Sequence, residues 1–206
     1  NIKFAISFPD LYEVGMSNLG LKIIYGLLNG ISDVVCERFF SLNQDMEELL
    51  RLENRQILSL ESRRKLSEFD LAGFSLGSEL DYTNVLNILE LGGIPLKSAS
   101  RGCAYPLIIG GGPCTLNPEP MHDFFDFFVI GEAEDAVLEV INLYRKHKEG
   151  YKSAKIDKQE LLFKFSQIEG VYVPSLYEVS YDKDMAIKEF KPKLAGLPLT
   201  IKKRFV

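Results

Sequence analysis

Between residues 107 and 134 two short apolar runs each break into a glycine turn. Leu107-Ile108-Ile109 leads into Gly110-Gly111-Gly112-Pro113-Cys114-Thr115, and Phe127-Phe128-Val129-Ile130 leads into Gly131-Glu132-Ala133-Glu134. Runs this short, apolar on both faces and bounded by glycine or proline, predict strands buried inside a parallel sheet. In an open parallel sheet, ligands sit at the carboxyl ends of the strands, where such turns lie. Three consecutive glycines also remove every Cβ from the turn, so a bulky group can approach the backbone. A turn that merely needs positive φ is the alternative for any one of them.

The same alternation runs upstream. Ile2 to Phe8 reads as an interior strand ended by Pro9, which has no N–H for the ladder. After a loop from Asp10 to Met16, Ser17 is placed to cap a helix with Leu19, Ile23, Ile24, Leu27 and Leu28 on its inner stripe. Val34 to Phe40 predicts a second strand, followed by a short helix capped by Asn43 with Met46, Leu49 and Leu50 inward. Leu71 to Leu76 predicts a strand ending in Gly77-Ser78, and Glu79 to Leu91 a helix. The helix after Gly131 has acids in its first turn, a buried stripe of Ala136, Val137, Val140, Ile141 and Tyr144, and Gly150 as its stop.

Strands alternating with helices predict an α/β fold. We expect a flavodoxin-like (Rossmann-like) parallel five-stranded sheet in the order 2-1-3-4-5, with helices on both faces. From Tyr151 the chain becomes polar and Lys-rich. A helix over Gln159 to Phe165 and short strands at Val171-Tyr172-Val173, Tyr177 to Tyr181 and Ala186 to Phe190 come next. This predicts a main domain over 1–150 and a small strand-containing extension over 151–206.

Composition narrows the ligand. Lys and Arg number 24 against 29 Asp and Glu, a net charge of −5, which leaves no electrostatic footprint for nucleic acid. The apolar stretches are too short to cross a membrane. Cys36, Cys103 and Cys114 are odd in number and widely spaced, which points to a reducing, cytoplasmic setting without disulfides. The chain has no initiator Met and opens on a strand, so we expect a piece of a longer protein. A G-x-G-x-x-G fingerprint after the first strand and a Walker A loop are both absent, and the acidic Asp10-Leu11-Tyr12-Glu13 would repel phosphate. His122 and His147 are the only histidines, too few and too far from a serine motif for a triad.

The expected crevice is lined by Asp10, Tyr12, Glu13, Met16 and Ser17 after strand one, and by Ser75, Gly77 and Ser78 after strand three. Gly111, Gly112, Cys114 and Thr115 follow strand four, and Gly131 and Glu132 lie at the edge. Backbone N–H groups at Gly77, Ser78, Gly111 and Gly112 and the Thr115 hydroxyl would meet a ligand's amides. On this reading Gly112→Val abolishes binding and leaves the melting temperature nearly unchanged. Glu132 and Glu134 also suit the positive start of their helix.

Several motifs resemble a known family. They are Gly111, Gly112, Pro113, Thr115, Pro118, Glu119, Asp126, Gly131, Glu132 and Glu134, the run Phe8-Pro9-Asp10-Leu11-Tyr12-Glu13-Val14-Gly15-Met16-Ser17-Asn18-Leu19-Gly20, Gly73-Phe74-Ser75-Leu76, and Leu80-Asp81-Tyr82-Thr83-Asn84-Val85-Leu86. Together they are similar to the N-terminal cobalamin-binding-type domain that precedes the barrel of B12-class radical S-adenosylmethionine (SAM) enzymes, in an uncharacterised branch. The resemblance implies an accessory, non-catalytic domain that binds cobalamin. A D-x-H-x-x-G motif is absent, so the implied mode is base-off and histidine-off. Cys114 stands where many members carry His. The CxxxCxxC motif, its 4Fe-4S cluster and S-adenosylmethionine are expected only in a downstream radical SAM domain, the implied partner, together with a macromolecular substrate. The alternative is a cofactor-free, degenerate B12-like domain acting as a scaffold or docking module.

Overall fold

The computed structural model describes residues 1–205. Five parallel strands, β1 (Ile2–Leu11), β2 (Val34–Ser41), β3 (Leu71–Ser75), β4 (Leu107–Gly111) and β5 (Phe127–Val129), stand in the order β2-β1-β3-β4-β5. This is the expected order. A sixth strand, β6 (Val171–Tyr172), closes the far edge antiparallel to β5, with Phe128 opposite Tyr172 and Val129 opposite Val171. The expected five strands are therefore joined by one from the predicted extension, because both residues of that short run are buried against the sheet. The remaining tail strands, β7 (Tyr177–Tyr181) and β8 (Ile187–Pro192), form a separate antiparallel hairpin.

Helices α2 (Leu19–Asn29), α4 (Asp81–Leu91), α5 (Glu134–Lys152) and α6 (Lys158–Phe165) supply most of the helical packing, with a single turn α1 (Tyr12–Gly15) before α2 and the amphipathic α3 (Gln44–Leu52) after β2. One buried apolar cluster runs through the sheet and both helical layers, from Ile2 and Phe4 to Tyr172 and Tyr177. The outer edge of β2 is covered rather than left open. Leu60 N–H donates to Arg38 O at 2.9 Å, and Arg38 N–H donates to the Glu61 carboxylate at 2.8 Å.

Five local expectations change. β1 continues past Pro9 to Leu11, because the pairing with β2 slips between Phe8 and Leu11 and no ladder N–H is asked of the proline. Asn18, not Ser17, caps α2: its side chain accepts from Leu21 N–H at 2.8 Å, while Ser17 Oγ donates to Glu13 O. Leu21 and Leu28 are the buried residues of α2, with the expected Ile24 and Leu27 partly buried against the core, while Leu19 and Ile23 turn to solvent. In α3, polar Glu47 and Arg51 meet Asn87 and Glu90 of α4, so Met46 and Leu49 face outward. Finally, α5 runs through Gly150. Ile156 packs over the glycine: a Cβ would stand 2.7 Å from Ile156 Cδ1, so a larger residue would displace the end of that side chain.

Two acids of the glycine-loop region hold the tail to the sheet. Asp126, fully buried, accepts from Ile108 N–H at 2.6 Å and pairs with Arg101 at 3.1 Å and with Lys158 of α6 at 2.6 Å. Glu119 accepts from the hydroxyls of Tyr172 at 2.5 Å and Tyr181 at 2.6 Å, clasping the β7–β8 hairpin to the body.

Candidate functional site

Alternate residues of a strand share one face. Phe4 and Ile6 of β1, Gly73 and Ser75 of β3, Ile109 and Gly111 of β4, and Val129 of β5 all face the layer of α2 and α5. Between those two helices, toward the carboxyl ends of the strands, the layer leaves a cleft of about 280 Å³. Its walls are Gly20, Leu21 and Ile24 of α2 on one side and Val137 of α5 on the other, with Gly131, Glu132, Ala133 and Glu134 at the mouth. The lining is mostly apolar, and its charged members are acids, so the cleft suits a flat, uncharged or hydrogen-donating group rather than a phosphate.

The glycines of the β4 turn differ in what a side chain would meet. At Gly110 a Cβ would stand 2.4 Å from the buried Phe128 ring, on the other face of the sheet. At Gly112 φ is +95° and a Cβ would lie 2.7 Å from Leu76 O. Its role is the turn itself, which pairs Leu76 N–H with Gly111 O at 2.7 Å and Cys114 N–H with Leu76 O at 3.2 Å. The nearly unchanged melting temperature expected of Gly112→Val therefore does not hold: the substitution strains the turn. At Gly111 the nearest atom is Phe74 O at 4.0 Å, and the space above it is the cleft.

Of the sequence-predicted residues, the cleft gathers Ser75, Gly111, Gly112, Gly131 and Glu132. The others lie around it on the strand-end rim. Asp10 accepts from Leu11 N–H at 2.7 Å. Tyr12 is 47% exposed and meets Phe40 edge-on at 5.4 Å between ring centres. Glu13 and Ser17 are exposed, and Met16 sulfur accepts from the Arg38 guanidinium. The backbone N–H groups of Gly77 and Ser78, expected to meet a ligand, donate instead to the Asp81 carboxylate at 2.8 and 3.0 Å. Thr115, expected to offer its hydroxyl, is buried, with Oγ1 2.8 Å from Gly112 O and 3.0 Å from Val129 O. It staples the two strand-end turns together. Cys114 is half-buried beside Tyr82; burial, then the charges of Glu79 and Asp81, push its thiol pKa up, so it is no reactive thiolate.

Sequence reasoning missed the α2 wall, Asp81 and Arg204. An apolar residue at helix spacing carries no mark that it borders a cleft, and Arg204 sits in a tail with no pattern. Asp81 was legible in principle, since an acid three residues after Ser78 can fold back onto the turn. A larger polar trough of about 710 Å³ lies under the β7–β8 hairpin, but five of its ionic groups, Lys97, Asp123, Arg101, Lys158 and Glu119, are engaged with protein partners. Neither His122 nor His147 lines the cleft, and no group of three or more His, Cys, Asp or Glu among the described residues is arranged to hold a metal. Among the described residues no helix is long and apolar enough to cross a membrane.

Residues 20–174 match the family model for the N-terminal region of radical SAM proteins. The chain is 26% identical over 194 residues to an uncharacterized protein of Methanocaldococcus jannaschii. That alignment covers 89% of this chain and 37% of the relative, so the chain spans under two fifths of its length. No solved structure matches the chain.

Proposed function

This chain belongs to the family of N-terminal regions of radical SAM proteins, and on that premise we propose that it is an accessory domain holding a flat ligand, cobalamin, for a linked radical SAM domain. The observation that carries the reading is the empty side of Gly111: a glycine-floored, apolar cleft opens at the carboxyl ends of the central strands, where α/β sheets take their ligands. Its volume suits one fused ring system and not a whole macrocycle. In base-off cobalamin the dimethylbenzimidazole ring is detached from cobalt, and that apolar, uncharged ring is the part of matching size and polarity; the phosphate of its arm would stay outside the cleft, away from Glu132 and Glu134. Gly73, Ser75 and Gly111 would floor it, Ile24 and Val137 would flank it, and Glu132 and Glu134 would accept hydrogen bonds at the mouth. Bound cobalamin would supply a cobalt centre able to carry a methyl group. With no histidine in the cleft, the mode is histidine-off.

The outer rim supports the docking half of the proposal. Val14 of α1, Leu19 at the start of α2, Leu80 just before α4 and Leu116 in the turn after β4, all following the carboxyl ends of strands, are 47, 68, 85 and 64% exposed. Apolar side chains gathered on one rim mark a surface that packs against something. A corrin and the radical SAM domain behind it would cover them. A cofactor-free docking module would use the same rim and leave the cleft empty.

Titration of the purified protein with hydroxocobalamin and methylcobalamin, read in the visible bands, separates these. A saturable shift to the base-off spectrum is the expected result. No shift at high corrinoid, with the radical SAM domain still binding, would leave docking as the function.

A further inference from the structure

Arg204 meets the mouth of the cleft from behind. Its N–H donates to Ile130 O at 2.9 Å, and its carbonyl accepts from Glu132 N–H at 3.1 Å, so it pairs across Gly131 as a one-residue parallel partner at the end of β5. Its guanidinium, 12% exposed, pairs with Glu139 of α5 at 2.6 Å. Two glycines at positive φ are shaped around it. A Cβ on Gly131 would stand 2.2 Å from Arg204 O, and one on Gly170 would stand 3.0 Å from Arg204 Cβ. Upstream, the segment is held where Tyr177 hydroxyl donates to Pro198 O at 3.0 Å and Leu197 is buried. The segment after Pro198 is thus a strap, anchored before it and clasped at Arg204. The residues it clasps, Gly131 and Glu132, are two of the four that wall the cleft mouth.

We propose that Arg204 is a positioning residue for the cleft, and that docking of the 199–205 strap and occupancy of the cleft are linked. The proposal rests on the reading of the cleft as the seat of the benzimidazole ring. Without the strap, the two hydrogen bonds that flank the Gly131 peptide, at Ile130 O and at Glu132 N–H, are gone, so the wall against which a ring would pack is held less firmly. Linkage is reciprocal: a strap that tightens the cleft for its ligand is itself held tighter when the ligand is present. Regions of this family are N-terminal in radical SAM proteins, so the strap is the route by which a linked radical SAM domain would sense an occupied cleft.

The test compares cobalamin with cobinamide, which has the corrin and lacks the nucleotide arm, in wild type, Arg204→Pro and Arg204→Lys. Proline removes the N–H that reaches Ile130 O, while lysine keeps that bond and a cation for Glu139. We expect Arg204→Pro to weaken cobalamin roughly tenfold, to leave cobinamide unchanged, and to speed hydrogen exchange at the Glu132 amide. Lysine should restore the wild-type preference, and cobalamin should slow exchange at Glu132 and Arg204 in wild type. Equal loss for both corrinoids, or no loss for either in a wild type that prefers cobalamin, overturns the strap. If wild type takes up neither corrinoid, the ligand reading fails by itself. The strap then stands or falls on exchange at Glu132 alone, where unchanged rates in Arg204→Pro sink it.

Discussion

At the end of β4 the chain passes through three glycines and leaves space on one side; after β5 it turns through one glycine and the space is filled by Arg204. Both turns follow a buried strand, both lie at the carboxyl edge of the sheet, and both carry a glycine at positive φ. Yet one opens a cleft and the other receives a strap. The presence of glycine reports only that a Cβ is unwelcome. The group standing where that Cβ would be separates a ligand seat from a packing contact.

The sharpest break in the comparison is at Gly131. Valine there must adopt φ near +109° and drive its Cβ into Arg204 O. Backbone strain of about 1–3 kcal/mol and overpacking of a similar size together predict a loss of about 4 kcal/mol. For a chain of this length that lowers the melting temperature by roughly 8–16 °C. A thermal melt within a degree or two of wild type would mean that the strap is not seated as described.

Gly110→Ala and Gly112→Ala come next, at about 2 kcal/mol each, for different reasons. Alanine at 110 overpacks the buried Phe128 ring; alanine at 112 strains the backbone against Leu76. A second substitution tells them apart. Phe128→Leu should recover part of the Gly110→Ala loss and none of the Gly112→Ala loss, read by denaturant midpoints in a double-mutant cycle. Equal recovery in both would mean that the two glycines share one role.

The parallel order of the strands, the buried stripe of α5 and the location of ligand-facing turns were legible in sequence, because strand length, helical period and glycine punctuation are local signals. The split of roles inside Gly110-Gly111-Gly112 was not, since it depends on Phe128, Leu76 and Phe74, which only the folded sheet brings to the turn. The same holds for Thr115 but not for Gly77-Ser78. Each looked available to a ligand and each proves engaged: Thr115 by Val129 O, which the sheet brings to it, and Gly77-Ser78 by the Asp81 carboxylate, a local partner that the sequence did offer. The outward apolar face of α3 reverses the usual inference for a related reason: Asn87 and Glu90 of α4 offer the helix a polar seat.

The smallest predicted effect on stability is at Gly111, and it carries the most information. A valine there has no atom within 4 Å of its Cβ except Phe74 O at the limit, and it extends a strand, where a β-branched side chain is favoured. Its stability should change by no more than about 0.5 kcal/mol, in either direction. Its side chain would occupy the floor of the cleft, so uptake of any ring-sized group should be abolished. The pairing of an unchanged melt with a lost preference for cobalamin over cobinamide is the outcome that separates a seat from a turn. If Gly111→Val melts early, the floor is packed rather than open. If it melts normally and still prefers cobalamin to cobinamide, the cleft is not where the benzimidazole ring is held.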